Sequence, residues 1–508
     1  MSIIIGVDVG TSGTKAVAMD AKGTLLASAL VEYPLLTPKP GWAEQDPASW
    51  KSASLAALKQ LAASPKVKAG DVKGIGLTGQ MHGSVFLDAD NNVLRNALLW
   101  CDNRTVAQCE YITKKIGEKK LIEMVCNPAL TGFTAPKILW LRDNEPKTYD
   151  KLRKVLLPKD YIRLVLTGEF ATDVADASGT LLFDVKNRTW HKKLMSTLGI
   201  DSSFMPPSFE GPEVTGRLSK DVAALTGLPA GIPVVAGGGD QAAGGVGNGI
   251  VRKGVISSTV GTSGVVFAFA DKISLDPKGR VHTFCHSVPG KWHTMGVVLS
   301  AGGSLRWFRD ALCASEKAVA AETGCDPYEY ITAAAEGIAP GSEGLPFLPY
   351  LSGERTPHKD PYAKGAFVGL SLKHTRAHMA RAVLEGVAFA MRDSLEIMRE
   401  MGVSITQVRA SGGGAKSKMW RQLQADVNKA PLVTTNIDEG PAYGAALLAT
   451  VATGLYKSVE EACDNIIRVV DTCPPAKKNA AAYDAWFALY QDTYKALAPG
   501  FARAARML

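Results

Sequence analysis

Cysteine nowhere concentrates in this sequence. The thiols Cys101, Cys109, Cys126, Cys285, Cys313, Cys325, Cys463 and Cys473 include no C-x-x-C pair, which argues against a disulfide framework and suits reduced thiols in the cytosol. Long apolar runs are missing as well, none reaching about eighteen residues. The opening Met-Ser-Ile-Ile-Ile-Gly-Val-Asp has neither a basic n-region nor a long h-region, so no export or membrane-spanning segment is expected and the expected location is cytoplasmic. Basic residues form no long block interleaved with aromatics. The net charge of +8 is spread along the chain, which leaves a nucleic-acid role little support and suits anionic small substrates such as nucleotides. A Walker loop is also absent, because the segment after Gly10 lacks the G-x-x-x-x-G-K-[ST] spacing and runs into a strand pattern, not a helix.

What the chain does have is size, glycine and a repeat. Its 508 residues exceed what one core comfortably fills, so two domains are expected. A content of 46% hydrophobic and 21% charged residues with 50 glycines fits an α/β enzyme. Val9-Gly10-Thr11-Ser12-Gly13 recurs as Val260-Gly261-Thr262-Ser263-Gly264, each copy between apolar, β-branched runs. Both read as strand, tight turn, strand, and a repeat this distant predicts two related domains facing each other. Such a turn aims several N–H groups and hydroxyls at one point, which makes an anion cradle. A single copy is explained equally well as a good hairpin turn; two identical copies favour a polyphosphate gripped from both sides. The phosphate candidates are therefore Gly10, Thr11, Ser12, Gly13, Thr14 and Lys15, with Gly261, Thr262, Ser263 and Gly264.

The first domain is expected over residues 1–249, the second over 250–453, and a C-terminal helical extension over 454–508 with its helix at 480–497. Residues 34–47 read as a Pro-rich loop, in which Asp46-Pro47 starts the next helix. Further glycine-rich turns stand at strand ends, the usual ligand crevice of an α/β sheet. They are Gly79-Gln80-Met81-His82-Gly83, Gly237-Gly238-Gly239-Asp240, and Gly412-Gly413-Gly414-Ala415 before a helical stretch at 416–427. The last lets an adenosine lie against bare backbone. The second matches a loose dinucleotide fingerprint, but no ribose-binding acid ends the next strand.

Phosphoryl transfer needs a metal for the phosphate charge, donors for its oxygens and a base aligned with the acceptor hydroxyl. Asp8 precedes the first turn where the second copy has Thr259, an asymmetry that points to a Mg²⁺ role, direct or through water. Asp240 is the candidate base, with capping of the following helix as the rival reading. Gln80, Met81 and His82 are candidates for sugar recognition. So are Trp100, Asp102 and Arg104, which follow an expected strand at 94–99, although an Asp–Arg pair can equally fix a loop. His282, Cys285, His286 and His293 offer no convincing zinc spacing.

Taken together, the Asp8 turn, Gly237 to Asp240, the second Val-Gly-Thr-Ser-Gly and the Gly412 turn resemble the FGGY family of carbohydrate kinases. Residues 132–144 are similar to its first signature; residues 365–370 with 378–385 are similar to its second. The resemblance implies two actin-like, ribonuclease H-like ATPase domains of α/β class with a nucleotide cleft between them. It also implies ATP and Mg²⁺, Asp240 as base with Asp240 and Asp8 near the metal, and Met81 and His82 at the sugar. Gln241 stands beside them where the family often has Asn. Residues 79–83, 156–161 and 350–358 imply D-xylulose as acceptor, phosphorylated to D-xylulose 5-phosphate. Another ketopentose or polyol, such as ribulose, is the near alternative, and an actin- or chaperone-like ATPase switch the distant one. The partners expected are a small sugar and ATP, with no nucleic acid or membrane; a homodimer is compatible with the reading.

Overall fold

The computed structural model describes residues 2–507. The two halves are built on one plan. In the first sheet, Ile3–Val9 pairs antiparallel with Gly13–Asp20, which pairs antiparallel with Leu25–Glu32. On its other side Ile3–Val9 pairs parallel with Val72–Gly79, then come parallel Pro233–Val235 and the antiparallel edge Val214–Arg217. The second sheet repeats this order with Gly254–Val260 at the centre. Gly264–Ala270 and Trp292–Val298 lie on one side of it, and Ile405–Ser411, Leu432–Thr435 and Val469–Cys473 on the other, in the same directions. Even the irregularity matches, since both central parallel pairs shift register after the first residue of the central strand, at Ile3/Ile4 and Gly254/Val255. His282–Cys285 extends the second sheet beyond the shared plan.

Three expectations change. Residues 454–508 are not only helical, because the β-branched Val469–Cys473 supplies the edge strand that completes the second sheet. The terminal helix spans Lys477–Ala505, and its Tyr483, Phe487 and Tyr490 are buried in the same core as Phe389 of the helix Arg376–Glu400, so its home is the second half. At 94–99 only Ala97–Leu98 is strand, paired with Glu44–Gln45; Arg95 is turned aside by ion pairs to Glu44 and Glu145.

One helix joins the halves. Gly440–Ala452 lies in the range expected for the second domain yet seats on the first sheet. A Cβ on Gly6 would lie 1.8 Å from the Ala442 carbonyl oxygen, and one on Gly76 1.8 Å from that of Ala445. Bare glycine lets backbone meet backbone there. The contact between halves is also apolar, with Met81 and Phe133 sharing a core with Phe284, Met295 and Val297. No helix among the described residues is long and apolar enough to cross a membrane.

Candidate active site

The first turn is braced from behind. Tyr33 Oη donates to the Gly10 carbonyl at 2.6 Å, Gln45 Nε2 to that of Thr11 at 2.7 Å, and Trp100 Nε1 to Thr11 Oγ1 at 3.0 Å. Gln80 bonds both Gly10 O and Gln45. Gln80 and Trp100, expected at the sugar, thus spend their polar atoms holding the turn. Thr14 is buried and directs its hydroxyl at Tyr33, and Lys15 forms an ion pair with Glu439. Ser12 is exposed and Gly13 buried.

Strand register brings the two carboxylates together. Asp8 stands opposite Thr78, and Thr78 opposite Gly238, so Asp8 and the Gly239-Asp240 step end neighbouring rows. Asp240 opens the helix Asp240–Gly247 as its first residue, and Gly239, not Asp240, holds the cap position. Burial pushes the Asp240 carboxyl up to about 6, against the pull of the Gln241 backbone and side-chain amides. Burial, and next the charge of Asp240, push Asp8 up to about 7, with Lys15 opposing. Asp8 Oδ1 is buried with no hydrogen-bond partner. An orphaned carboxylate oxygen facing a second carboxylate suits a hard cation such as Mg²⁺. No group of three or more His, Cys, Asp or Glu gathers for a metal among the described residues, so such an ion would take its other ligands from phosphate and water.

His82 is held in a left-handed conformation, φ 68°. Its Nδ1 lies 2.7 Å from the Gly179 carbonyl, and because a carbonyl only accepts, Nδ1 carries the proton and Nε2 is an acceptor. Burial holds the imidazole well below its usual range, hence neutral. Its carbonyl is stapled by Lys137 Nζ at 2.9 Å and Thr134 Oγ1 at 3.1 Å, and Lys137 also bonds Gly132 O at 2.7 Å. Burial lowers this lysine to about 7. Met81 packs on the strand leading to Asp240, since a Cβ on Gly239 would lie 2.7 Å from Met81 Cγ. Lys137 and Thr134, which the sequence offers only as part of a family signature, thus brace the His82 turn.

Asp102 and Arg104 are turned inward instead. Asp102 accepts from Ala43 N at 2.7 Å and from Arg104 Nη2 at 2.7 Å, and the guanidinium lies 3.6 Å over Trp42. The pair fixes the loop, because both Asp102 oxygens accept from Arg104 and the same guanidinium reaches Glu44, which leaves only Arg104 Nη1 without a partner. The histidines near 282–293 form an aromatic stack, with His293 on Phe267 at 4.3 Å.

The second turn borders a different space. Gly302 N donates to Gly261 O at 2.8 Å and Gly303 N to Thr262 O at 2.9 Å, seating the helix Gly302–Leu312 on the turn. Where the first half pairs Asp8 with Thr78, the second pairs Thr259 with Ser411, hydroxyl to hydroxyl at 2.8 Å. Beside it opens a cavity of about 770 Å³ lined by Gly261, Thr262, Tyr328, Gly413, Gly414 and Trp420, large enough for a nucleoside. Ser263, Gly264, Gly412 and Ala415 do not line this cavity; Gly412 instead lets the turn approach Val260 O, 2.7 Å from where a Cβ would stand.

Comparison with known proteins gives the family. The model of the FGGY family of carbohydrate kinases, N-terminal domain, matches residues 3–247, and that of the C-terminal domain matches residues 256–453. A protein named xylulose kinase from Bacillus subtilis is 39% identical, covering 97% of both chains. One from Escherichia coli is 40% identical over 97% of this chain and 99% of its own. A solved structure described as a xyloylose kinase from Brucella ovis superposes with a TM-score of 0.89 at 37% identity, covering 98% of this chain and 99% of the other. With family models matching both halves and a shared two-sheet architecture, the chain belongs to the FGGY family of carbohydrate kinases.

Proposed function

We propose that the chain phosphorylates D-xylulose with ATP, giving D-xylulose 5-phosphate and ADP. The acceptor follows from the curated relatives, which are named xylulose kinases. The observation that supports the chemistry is that Gly238-Gly239, with Met81 against it, pairs on the same strand as the row of Asp8, so that Asp240 acts electrostatically on Asp8; burial raises the Asp240 carboxyl to about 6, which leaves it ionised at neutral pH.

Met81 supplies an apolar wall for the sugar and His82 Nε2 accepts from one of its hydroxyls, while Gln241 steadies the Asp240 carboxylate. The adenosine occupies the cavity at Gly413 and Gly414, and its phosphates run between the turns at Gly10 and Gly261. Asp240 takes the proton of the attacking hydroxyl, its oxygen bonds the γ-phosphorus, and the bond to the β,γ-bridging oxygen breaks as ADP leaves. Asp8, with Asp240 beside it, would hold Mg²⁺, which supplies neutralisation of phosphate charge when bound. Lys15, held by Glu439, adds positive charge at the same strand end.

A coupled ADP-release assay across D-xylulose, L-xylulose, D-ribulose, L-ribulose and glycerol, with a blank lacking acceptor, tests the reading. D-xylulose should give the highest kcat/KM and the blank little turnover. Strong preference for another acceptor would replace the substrate, and full ATP hydrolysis in the blank would replace the kinase with an ATPase switch.

A further inference from the structure

Arg355 belongs to the second half but leans over the first. Its loop is pinned to the end of Trp292–Val298. Glu354 Oε1 accepts from Leu299 N at 3.0 Å and Arg355 N at 2.7 Å, and Thr356 Oγ1 accepts from Val297 N at 3.0 Å. The side chain crosses to the other half, where Arg355 Nη2 would lie 3.9 Å from a Cβ on Gly132. Among the described residues the guanidinium makes no hydrogen bond and no ion pair. The residue is half-buried, and a donor fork that meets no acceptor of the protein is free to take one from a ligand.

The same turn gathers two acceptors. Phe133 lies 4.8 Å from the His82 ring and 5.7 Å from that of His282. His282 Nδ1 is 2.9 Å from Asn127 Oδ1, and Asn127 Nδ2 donates to Thr283 O at 2.9 Å, which fixes the amide so that its oxygen faces the imidazole. His282 therefore carries its proton on Nδ1, as His82 does, and both Nε2 atoms are left as acceptors. Burial first, and the Arg355 charge in addition, keep both rings neutral.

We propose that Arg355 and His282 complete the acceptor site from the second half: the imidazoles of His82 and His282 accept from sugar hydroxyls, and the Arg355 guanidinium donates to the carbonyl oxygen of a ketose. A guanidinium only donates; a hydroxyl can also accept from it, but the planar ketone oxygen, with two in-plane lone pairs and no proton of its own to place, fits the flat donor fork better, so the match favours ketoses over the corresponding alditols by geometry. This rests on the sugar-kinase reading above.

The test compares wild type, Arg355→Gln, Arg355→Lys and His282→Gln on D-xylulose and on xylitol, with thermal midpoints measured in parallel. Arg355→Gln should raise the KM for D-xylulose about tenfold or more, leave the KM for ATP within about twofold, and shrink the preference for D-xylulose over xylitol about tenfold. Arg355→Lys should recover part of the loss, and His282→Gln should raise the acceptor KM without touching the ATP KM. An unchanged D-xylulose KM in Arg355→Gln, an increase confined to ATP, or a loss of kcat accompanied only by a lower thermal midpoint would overturn the proposal. If wild type ignores D-xylulose but uses another ketose of the panel, the acceptor assignment fails alone, and the same variants are read on that ketose against its alditol.

Discussion

The Asp240 carboxylate helps to hold Asp8 protonated up to a pH of about 7, across a single shared strand, Val72–Gly79, on which the rows leading to both residues are paired. Two acids this close cannot both ionise cheaply without a cation between them, and this relationship governs how the site responds to pH and to substitution.

Asp240→Asn should lower kcat by about 10²–10⁴ while ATP and acceptor still bind, because only the proton acceptor is removed. Single-turnover kinetics with equilibrium binding checks this, and near-normal transfer would exclude the base role. In wild type, kcat/KM should fall about tenfold per pH unit below about 6, where Asp240 becomes protonated.

Asp8→Asn should stabilise the ligand-free protein at pH 8 while suppressing transfer. The sign follows from the raised carboxyls. Between about 4 and about 7 the folded state binds more protons than the unfolded one, so stability is greatest below about 4 and declines as pH rises through about 7. Thermal midpoints from pH 4 to 8 should show that decline in wild type and a shallower one in Asp8→Asn. Added Mg²⁺ should recover stability in wild type at pH 8 and not in the variant.

Lys137→Met should raise the acceptor KM about tenfold and leave the ATP KM unchanged. The Gly132 carbonyl loses its lysine donor and the His82 carbonyl keeps only Thr134, so the His82 turn loosens without any change in the nucleotide cavity. Equal increases in both constants would point to general damage instead.

Gly413→Leu should do the opposite. The nearest atom to a Cβ there is Val260 O at 3.8 Å, an ordinary contact, so the protein tolerates the side chain while the cavity beside it is partly filled. The ATP KM should rise about tenfold with little change for the acceptor.

Gly6→Ala should destabilise the fold by about 1–3 kcal/mol or more, through the clash with Ala442 O. Gly70→Ala, with nothing within 4 Å of its Cβ, serves as the control and should be close to neutral in a denaturant melt.

The repeated turn was legible because hairpin chemistry is local: Gly10 and Gly261 each close a turn within three residues. Asp8 and Asp240 stand out in the sequence for a related reason, since Asp240 follows three glycines and Asp8 lies two residues before the first turn's Gly10. What could not be read depends on distant partners. Nothing near Asp102 in sequence says that Ala43 N and Arg104 already satisfy it, and nothing near Lys137 says that its amine reaches back to the His82 carbonyl. Gly6 reads as a weak point in an isoleucine-rich strand until the helix at 440–452 is placed upon it. The edge strand Val469–Cys473 was absorbed into a helical tail because its partner, Leu432–Thr435, lies beyond an intervening helix pair.

That helix, Gly440–Ala452, also bears on dissection of the chain. A fragment ending at residue 249 keeps every strand of the first sheet but exposes the glycine seam at Gly6 and Gly76 that the helix seals. Two halves sharing one architecture should therefore not fold independently: the first borrows a covering helix from the second, and separately produced fragments are expected to gain structure only when mixed.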